Sequence, residues 1–328
     1  MTLLLLGGSL FLFITLVSNS VQSYSSDKEI LESVFLHRNR PIDEYCAGDS
    51  CFYVFDRICQ LENGSFFVAR LTSPDRDLKN GFTGIAILKT PKPLTRQNRD
   101  TQKWEINKDI ISSDTVVGSE LKQSILSGLF PTEKQKSKVM IVGVATGILQ
   151  TFLAKQYPNM YIEGVDIDSN SLIVAKKWYG FKESNRNRII IDDARNQFKK
   201  KYSLGIQFDA IMVDACYNNF DFDDEWMCPV KAFREAETIS NMNKTLSPNG
   251  MVTINVYHKS DNLSMNSELL DLYKGVFNQC ALSSGENDQI RNQILTCSNA
   301  HSKYQDMETL KSDHSQVLSK YSDYIRWL

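Results

Sequence analysis

The sequence predicts an α/β protein in which a small β-rich region precedes a doubly wound sheet of seven strands. The apolar run 139–142 leads into a turn bounded by Gly143 and Gly147, and an apolar helical pattern follows at once. Strand-like and helix-like segments alternate after this turn, so we expect parallel strands joined by helical crossovers. The last two strand-like runs flank a single polar turn, which predicts an antiparallel pair.

The elements are assigned from short apolar runs, helical periodicity and turn residues. Before the glycine turn, strands are predicted at 51–55, 65–71 and 82–88 and a helix at 119–130. In the main sheet, strands are predicted at 139–142, 160–165, 188–191, 208–213, 251–257, 279–284 and 292–297. Helices are predicted directly after Gly147 and at 169–179, 230–246, 265–277 and 304–328.

A chain of 328 residues can bury one large core, or one core and a small satellite domain. We divide it into a signal peptide (1–23), a small β-rich N-terminal region (24–110), a Rossmann-like domain (111–300) and a C-terminal helix (301–328). The net charge of −2 argues against a general nucleic-acid-binding protein, which would carry a basic surplus.

The first residues have the pattern of a secretory signal. The run 3–17 is apolar and uncharged, and small polar residues follow it up to Ser23. This length suits a signal-peptide core and is short for a membrane span, although no Lys or Arg precedes the run. An uncleaved anchor is the alternative, and no later stretch is long enough to span a membrane. We therefore expect a secreted or lumenal protein with no stable membrane span after cleavage.

The seven cysteines agree with an oxidising compartment. Cys46, Cys51 and Cys59 lie close together in the N-terminal region, whereas Cys280 and Cys297 lie nearly symmetrically about the last predicted turn. We expect a Cys280–Cys297 disulfide, which requires Cα atoms within about 7 Å of each other. The odd count leaves at least one thiol. A zinc site is not expected, because no two cysteines are spaced two residues apart and only four His are present.

Three acids follow strands whose C-terminal ends meet at the edge where doubly wound sheets bind ligands. Asp166 lies about twenty residues past Gly147, where a carboxylate can accept hydrogen bonds from both hydroxyls of a ribose. Asp193 can accept a hydrogen bond from an adenine amino group, although the neighbouring Asp192 could take this role instead. Asp214 ends the fourth strand and is the candidate for acting on the reacting group. The alternatives are a solvated turn acid for Asp166 and a loop cap for Asp214.

Two further features flank these acids. Asp168 precedes the predicted helix 169–179 and is expected to cap it. The segment 215–226 mixes acids with aromatic residues, which could hold an amine or a basic peptide through charge and cation–π contacts. A solvated loop is the alternative interpretation of this segment.

Residues 111–300 resemble the spermidine synthase-like branch of the class I S-adenosylmethionine-dependent methyltransferases. Within that branch they resemble the C-terminal domain of the eukaryotic methyltransferases that modify elongation factor 1A. Five parallel strands ending in an antiparallel pair also distinguish this fold from that of dinucleotide dehydrogenases. The matching stretches are Val142-Gly143 with Gly147, 165–168, 178–181, 208–214, and Cys228-Pro229 with Phe233. Because Cys228 belongs to this match, the resemblance argues against a disulfide at that residue.

The resemblance implies that Gly143, Gly147, Asp166 and Asp193 line a site for S-adenosylmethionine. It also places Gln123 where aminopropyltransferases have a glutamine that contacts the cofactor, although an exposed helix residue is an equal alternative. The activity it implies is methyl transfer to a nitrogen of a protein or a small amine. The sequence does not identify that substrate, and it leaves open whether the chain forms a homodimer.

Two departures from the family pattern define the alternatives. Ala145 and Thr146 occupy the middle of a turn that is richer in glycine in the family, and their side chains could keep a ligand from the backbone. A secreted, catalytically inactive binding protein is therefore the second hypothesis. Tyr217 stands where aminopropyltransferases carry an acid that acts on the amine, so an aminopropyltransferase in polyamine synthesis is the third and least favoured.

We predict that residues before about Tyr24 are absent from the mature protein and that at least one of Asn63, Asn243 and Asn262 carries a glycan. N-terminal sequencing and glycosidase treatment of protein made in a eukaryotic host test both statements. An intact Met1 together with no mass loss after glycosidase treatment would contradict them.

Overall fold

A computed structural model describes residues 29–32, 40–47, 50–61, 66–78, 82–112, 115–217, 223–259, 263–283, 292–322 and 325–327. The predicted signal peptide and the sequons at Asn63 and Asn262 lie outside these residues. Within them, no helix is both long and apolar enough to cross a bilayer.

The N-terminal region is an antiparallel sheet. Its strands are β1 (Asp43–Ala47), β2 (Ser50–Leu61), β3 (Phe66–Ser73) and β4 (Gly84–Ile87), in that spatial order. β-branched and aromatic residues such as Val54, Phe55 and Val68 are fully buried in it. The predicted β-rich region is therefore present, although β1 was not predicted and both β2 and β3 extend past the predicted ends of their strands.

The main sheet follows the predicted order. Its strands are β6 (Ser137–Val142), β7 (Met160–Asp166), β8 (Asn187–Ile191), β9 (Phe208–Val213), β10 (Trp226–Cys228), β11 (Leu246–His258), β12 (Gln279–Ser283) and β13 (Gln293–Ser298). The spatial order is β12-β13-β11-β9-β6-β7-β8, and β10 pairs with β11. The strands β11, β9, β6, β7 and β8 are parallel, whereas β12 and β13 are antiparallel. The predicted seven-stranded, doubly wound sheet is confirmed, and β10 is an additional short strand.

Helices cover both faces of this sheet. They are α1 (Val116–Leu126), α2 (Ile148–Gln156), α3 (Ser169–Trp178), α4 (Ala194–Ser203), α5 (Ala236–Lys244) and α6 (Leu263–Lys274). The helix predicted at 119–130 begins earlier, because the Thr115 side chain accepts a hydrogen bond from the backbone N–H of Gly118. The helix predicted at 230–246 is split by Glu235, whose extended backbone separates a 3-10 turn (Lys231–Arg234) from α5. Helix α4 was not predicted.

The prediction of a single C-terminal helix over 301–328 is wrong. Two short helices, α7 (Met307–Asp313) and α8 (Ser315–Leu318), are followed by the strands β14 (Tyr321–Ser322) and β15 (Ile325–Trp327). β14 pairs with β5 (Ile111–Ser112), and β15 pairs antiparallel with β2. Aromatic and β-branched residues favour strands when a free strand edge is within reach, and this tertiary pairing overrides the local helical pattern.

The structure contains the disulfides Cys46–Cys51, Cys216–Cys228 and Cys280–Cys297, and Cys59 is a buried free thiol. The Cys280–Cys297 prediction is confirmed: the two residues are paired across β12 and β13, with Cα atoms 4.1 Å apart. The expectation that Cys228 is not disulfide-bonded is wrong, because the chain after β9 folds back beside β10.

A guanidinium that is ion-paired within the N-terminal sheet joins this sheet to the main domain. The Arg70 guanidinium donates to both carboxylate oxygens of Asp56, at 2.8 and 3.0 Å, and both side chains are almost fully buried. The same guanidinium lies over the Trp178 ring, 4.7 Å from its centroid, and donates to the backbone carbonyl of Thr101. These contacts fix the sheet against α3, beside the C-terminal ends of the parallel strands.

Candidate active site

A cavity of about 1010 Å³ lies between the C-terminal ends of the parallel strands and the N-terminal sheet. Its volume is at the upper end of the roughly 300–1,000 Å³ typical of ligand sites. Residues of the glycine turn line it, as do the acids after β7, β8 and β9. Ser50, Phe52 and Gly84 from the N-terminal sheet form part of the opposite wall.

The glycine turn has two positions that require glycine. Gly143 has a φ of +80°, and a Cβ there would lie 2.2 Å from the backbone oxygen of Asp214. Gly147 has a φ of +66° and forms the N-cap of α2. Ala145 also lies in the left-handed region, with a φ of +46°, and it lines the cavity. The substitution that distinguishes this turn therefore places a methyl group at the ligand-facing wall under backbone strain.

Thr146 does not line the cavity. Its side chain is 1% exposed and lies against Gly84 of β4, where a Cβ would come within 2.4 Å of it. Of the two departures in the turn, only Ala145 therefore faces the space that a ligand could occupy.

Asp166 shapes the turn with its carboxylate. Oδ2 accepts hydrogen bonds from the backbone N–H groups of Val144 and Ala145, at 2.8 and 2.9 Å. Oδ1 accepts from the N–H of Asp168, at 2.9 Å. Burial raises the pKa of Asp166, and these backbone donors oppose that effect. A ribose hydroxyl would therefore share this carboxylate with the backbone of the turn.

Asp168 and Asp193 cap the helices that follow them. Asp168 accepts from the N–H of Asn170 at the start of α3, as predicted, and its other oxygen accepts from the hydroxyl of Ser50. Asp193 caps α4 and forms an ion pair with Arg195, which holds the pKa of this carboxyl below its usual value. Both acids line the cavity, as does Asp192.

Ile167 is an apolar residue on the cavity wall with no apolar cover. Its side chain is 78% exposed and stands between Asp166 and Asp168, where the sequence turns from β7 into α3. An exposed aliphatic side chain beside a candidate ribose acid can pack against a flat apolar group such as a purine base. No sequence pattern marks Ile167 as a site residue, although it directly follows Asp166.

Asp214 forms the centre of a polar chain on the other side of the cavity. Its Oδ1 accepts a hydrogen bond from Nδ2 of Asn255 at 2.7 Å, and Oδ1 of Asn255 accepts from Nδ2 of Asn292 at 2.8 Å. Among the described residues, no hydrogen bond reaches Oδ2 of Asp214. Burial raises the pKa of Asp214 to about 6. The cavity is therefore lined by a carboxylate that can take up or release a proton at a pH slightly below neutral.

A second acid, Glu120 on α1, lies beneath Asp214. It is fully buried, its Oε1 accepts a hydrogen bond from the Thr253 hydroxyl at 2.8 Å, and its Oε2 has no partner among the described residues. Burial, and next the charge of Asp214, raise the pKa of Glu120 well above its usual value. No local sequence pattern marks Glu120 as a site residue, because only the fold brings α1 over β11.

Gln123 lies on α1 but is not among the residues that line the cavity. The structure therefore brings Gly143, Asp166, Asp193 and Asp214 together around one space and leaves Gln123 apart from them. Gly147 adjoins this space as the cap of α2 without lining it.

The charged side chains of the cavity are mostly acidic. Among the described lining residues, the five acids are Asp166, Asp168, Asp192, Asp193 and Asp214, and the one base is Arg195. Since Arg195 is paired with Asp193, the field inside the cavity favours a cation. Asp214, Cys216 and Cys228 also form a group with metal-ligand spacing, but the two sulfurs are bonded to each other and so are not free to bind an ion.

We predict that Glu120→Gln raises the thermal midpoint relative to the unaltered protein, by a margin that grows with pH. A raised folded-state pKa means that the folded protein holds this proton more tightly than the unfolded chain does. The contribution of Glu120 to stability is therefore complete below its unfolded pKa of 4.5 and is lost as the pH rises through the folded value. Thermal unfolding between pH 5 and pH 9 measures it, and a margin of about 2 °C corresponds to about 1 kcal/mol.

Glu163→Gln is the matched control for this prediction. Glu163 is also fully buried, but it is paired with Arg188 and with the buried Lys201. Removing its charge leaves Lys201 unpaired and should destabilise the protein throughout this pH range. If the difference in thermal midpoint between Glu120→Gln and the unaltered protein did not change with pH, the prediction would be wrong. The folded protein would then not hold a proton on Glu120 more tightly than the unfolded chain does.

Comparison with known proteins gives partial matches. No protein-family model matches the chain. It is 26% identical over 183 residues to the eEF1A lysine and N-terminal methyltransferase homolog of Drosophila melanogaster, and 28% over 162 residues to the human eEF1A lysine and N-terminal methyltransferase. These matches cover 56% and 48% of this chain but only 26% and 22% of the relatives, so the chain spans about a quarter of their length. A polyamine aminopropyltransferase of Vibrio vulnificus is 26% identical over 135 residues, which cover 41% of this chain and 42% of that protein.

Solved structures share the fold at low sequence identity. Human Methyltransferase-like protein 13, in complex with SAH, superposes with a TM-score of 0.53 at 23% identity and covers 61% of this chain and 91% of that one. A probable spermidine synthase from Corynebacterium glutamicum gives a TM-score of 0.55 at 16% identity and covers 87% and 89%. The chain therefore has the class I methyltransferase fold, and its sequence is similar to those of the eEF1A lysine and N-terminal methyltransferases.

Proposed function

We propose that this protein is an S-adenosylmethionine-dependent methyltransferase that acts on a nitrogen of a protein or a small amine. The observation that carries the proposal is Asp214, whose Oδ2 accepts no hydrogen bond from the described residues and which lines an acidic cavity at the end of the fourth parallel strand. The relatives named above are methyltransferases and an aminopropyltransferase, which also support transfer to nitrogen.

The residues present suit this cofactor and substrate. A cavity with five acids and one paired base favours a ligand that carries positive charge, as both S-adenosylmethionine and an ammonium group do. Asp166, Ile167 and Asp193 would hold the adenosine part, and the cofactor would supply a methyl group already activated on its sulfonium. Asp214 and the oxygen of Asn292 would orient the amine, and Asp214 would accept the proton that the nitrogen must lose.

A single residue bears on each of the two rival functions. The inactive binding protein is favoured by Ala145, whose methyl group lines the cavity in a strained backbone conformation. An aminopropyltransferase is disfavoured by Tyr217, which stands in place of an acid and accepts a hydrogen bond at its hydroxyl from the N–H of Lys231. Cofactor binding separates the first rival from the proposal, and product analysis separates the second.

We also propose that the protein acts in the secretory pathway or outside the cell. Three disulfides support this location, since such bonds persist in oxidising compartments. Of the three sequons, only Asn243 is described, and its side chain donates to the carbonyl of Val276 and accepts from Asn299. A glycan on Nδ2 of Asn243 would leave that nitrogen a single hydrogen and crowd both contacts, so we expect the glycan at Asn63 or Asn262 instead.

We predict that Ile167→Ala weakens binding of S-adenosylhomocysteine by roughly fiftyfold. The change removes three carbons that the adenine ring would cover, and each buried methylene contributes about 0.8 kcal/mol. Ile173→Ala is the matched control, because Ile173 is an exposed isoleucine on α3 that does not line the cavity. Titration calorimetry measures both variants. Equal effects would place the adenine elsewhere, and no binding by the folded unaltered protein would favour the inactive alternative.

We predict that methyl transfer to an amine falls as the pH drops through about 6, where Asp214 becomes protonated and can no longer accept a proton. Asp214→Asn should lower kcat by roughly 10²–10⁴, the usual contribution of a general base, and should lack this pH dependence. Cofactor affinity should change by no more than about twofold, since the adenosine contacts are unaltered. A variant that retains both the rate and the pH profile would exclude Asp214 as the proton acceptor.

A further inference from the structure

Both residues of the Cys216–Cys228 disulfide line the candidate active site. Sγ of Cys216 lies 3.4 Å from Oδ1 of Asp214 and 3.3 Å from Nδ2 of Asn255. A disulfide sulfur carries no hydrogen, so its contact with Asp214 is one of packing. The sulfur therefore packs against the same carboxylate oxygen to which Asn255 donates.

Two backbone hydrogen bonds flank this disulfide. The N–H of Tyr217 donates to the carbonyl of Met227, and the N–H of Val230 donates to the carbonyl of Ala215, both at 2.9 Å. Residue 228 pairs in turn with Tyr257 of β11. The segment that follows Asp214 is thus attached to the main sheet through one covalent bond set between two hydrogen bonds.

We propose that the Cys216–Cys228 disulfide is a positioning element of the active site, which holds Asp214 against Asn255 and makes turnover depend on the oxidised state of this bond. The inference rests on the proposed methyl transfer. A dithiol reductant would cleave the S–S bond and leave one hydrogen on each sulfur, while the dithiol itself becomes a disulfide. The Cys216 thiol could then donate to Asp214 and compete with the substrate amine for the same carboxylate.

The chain offers a matched control in Cys280–Cys297. This disulfide also joins neighbouring strands, but it clamps the edge hairpin of the sheet and neither residue lines the cavity. Its removal should lower stability through the same loss of a cross-link, without moving Asp214. Comparing the two pairs therefore separates positioning from general stabilisation.

The test compares the double variants C216A/C228A and C280A/C297A of the full chain, with S-adenosylmethionine and an amine substrate. For C216A/C228A we expect kcat to fall roughly tenfold to a hundredfold, since a shift of about 1 Å in a reacting group can have that effect. Its cofactor affinity should stay within about twofold, because Asp166 and Ile167 are not attached to this bond. C280A/C297A should keep kcat within about twofold. Dithiothreitol should lower kcat of the unaltered protein, and reoxidation should restore it.

Amide hydrogen exchange provides a readout that does not need activity. We expect the N–H groups of Tyr217 and Val230 to exchange faster, by at least about tenfold, in C216A/C228A than in the unaltered protein. If that variant does not fold, mildly reduced protein, with the open pair mapped by mass spectrometry, gives the same comparison. Unchanged exchange, unchanged kcat, or an equal fall of kcat in C280A/C297A would overturn the inference. Absence of turnover in the oxidised, unaltered protein would instead count against the proposed function, and exchange would then decide the positioning role.

Discussion

The close contact between Gly143 and the backbone of Asp214 is the constraint on which the site depends. The two residues follow β6 and β9, which are adjacent parallel strands, and a side chain at Gly143 would collide with the carbonyl of Asp214. Because this position has no side chain, the turn and the end of β9 can approach each other. The turn that would hold a cofactor and the acid that would act on a substrate are thereby placed side by side.

Asp214 can serve this role only if its negative charge is tolerated at its partly buried position in the cavity wall. Thr253 and Asn255 are two residues apart on β11, so their side chains point to the same face of the sheet. There Thr253 donates a hydrogen bond to Glu120, and Asn255 donates one to Asp214. Two acids are therefore buried near each other, and burial favours the protonated form of Glu120. With Glu120 neutral, the pair carries one negative charge at neutral pH, and that charge resides on the acid that faces the cavity.

The parts of the molecule that follow from local rules could be predicted from the sequence. Asp166, Asp193 and Asp214 each end or follow a strand, and the carboxyl ends of parallel strands meet at one edge, so their convergence needs no further information. Helix α4 was missed because three consecutive lysines and few apolar residues obscure its periodicity, and only Asp193 marks its start.

Other features depend on contacts between distant segments, which no local pattern records. Glu120 becomes a buried acid only when α1 packs over β11. Cys216 meets Cys228 only because the chain folds back and places residues 227–230 beside residues 215–217. The C-terminal strands β14 and β15 form because β5 and β2 offer them strand edges to pair with. The helical pattern of this segment therefore did not determine its secondary structure.

The N-terminal sheet explains why the turn tolerates residues other than glycine. Thr146 directs its side chain onto Gly84, and Asp168 accepts a hydrogen bond from Ser50, so both contacts join the turn region to this sheet. The side chain of Thr146, which is larger than that of a glycine, therefore packs between the two sheets and does not extend into the cavity. Only the methyl group of Ala145 remains to distinguish this cavity wall from a glycine-rich one, and a single methyl group narrows the site without closing it.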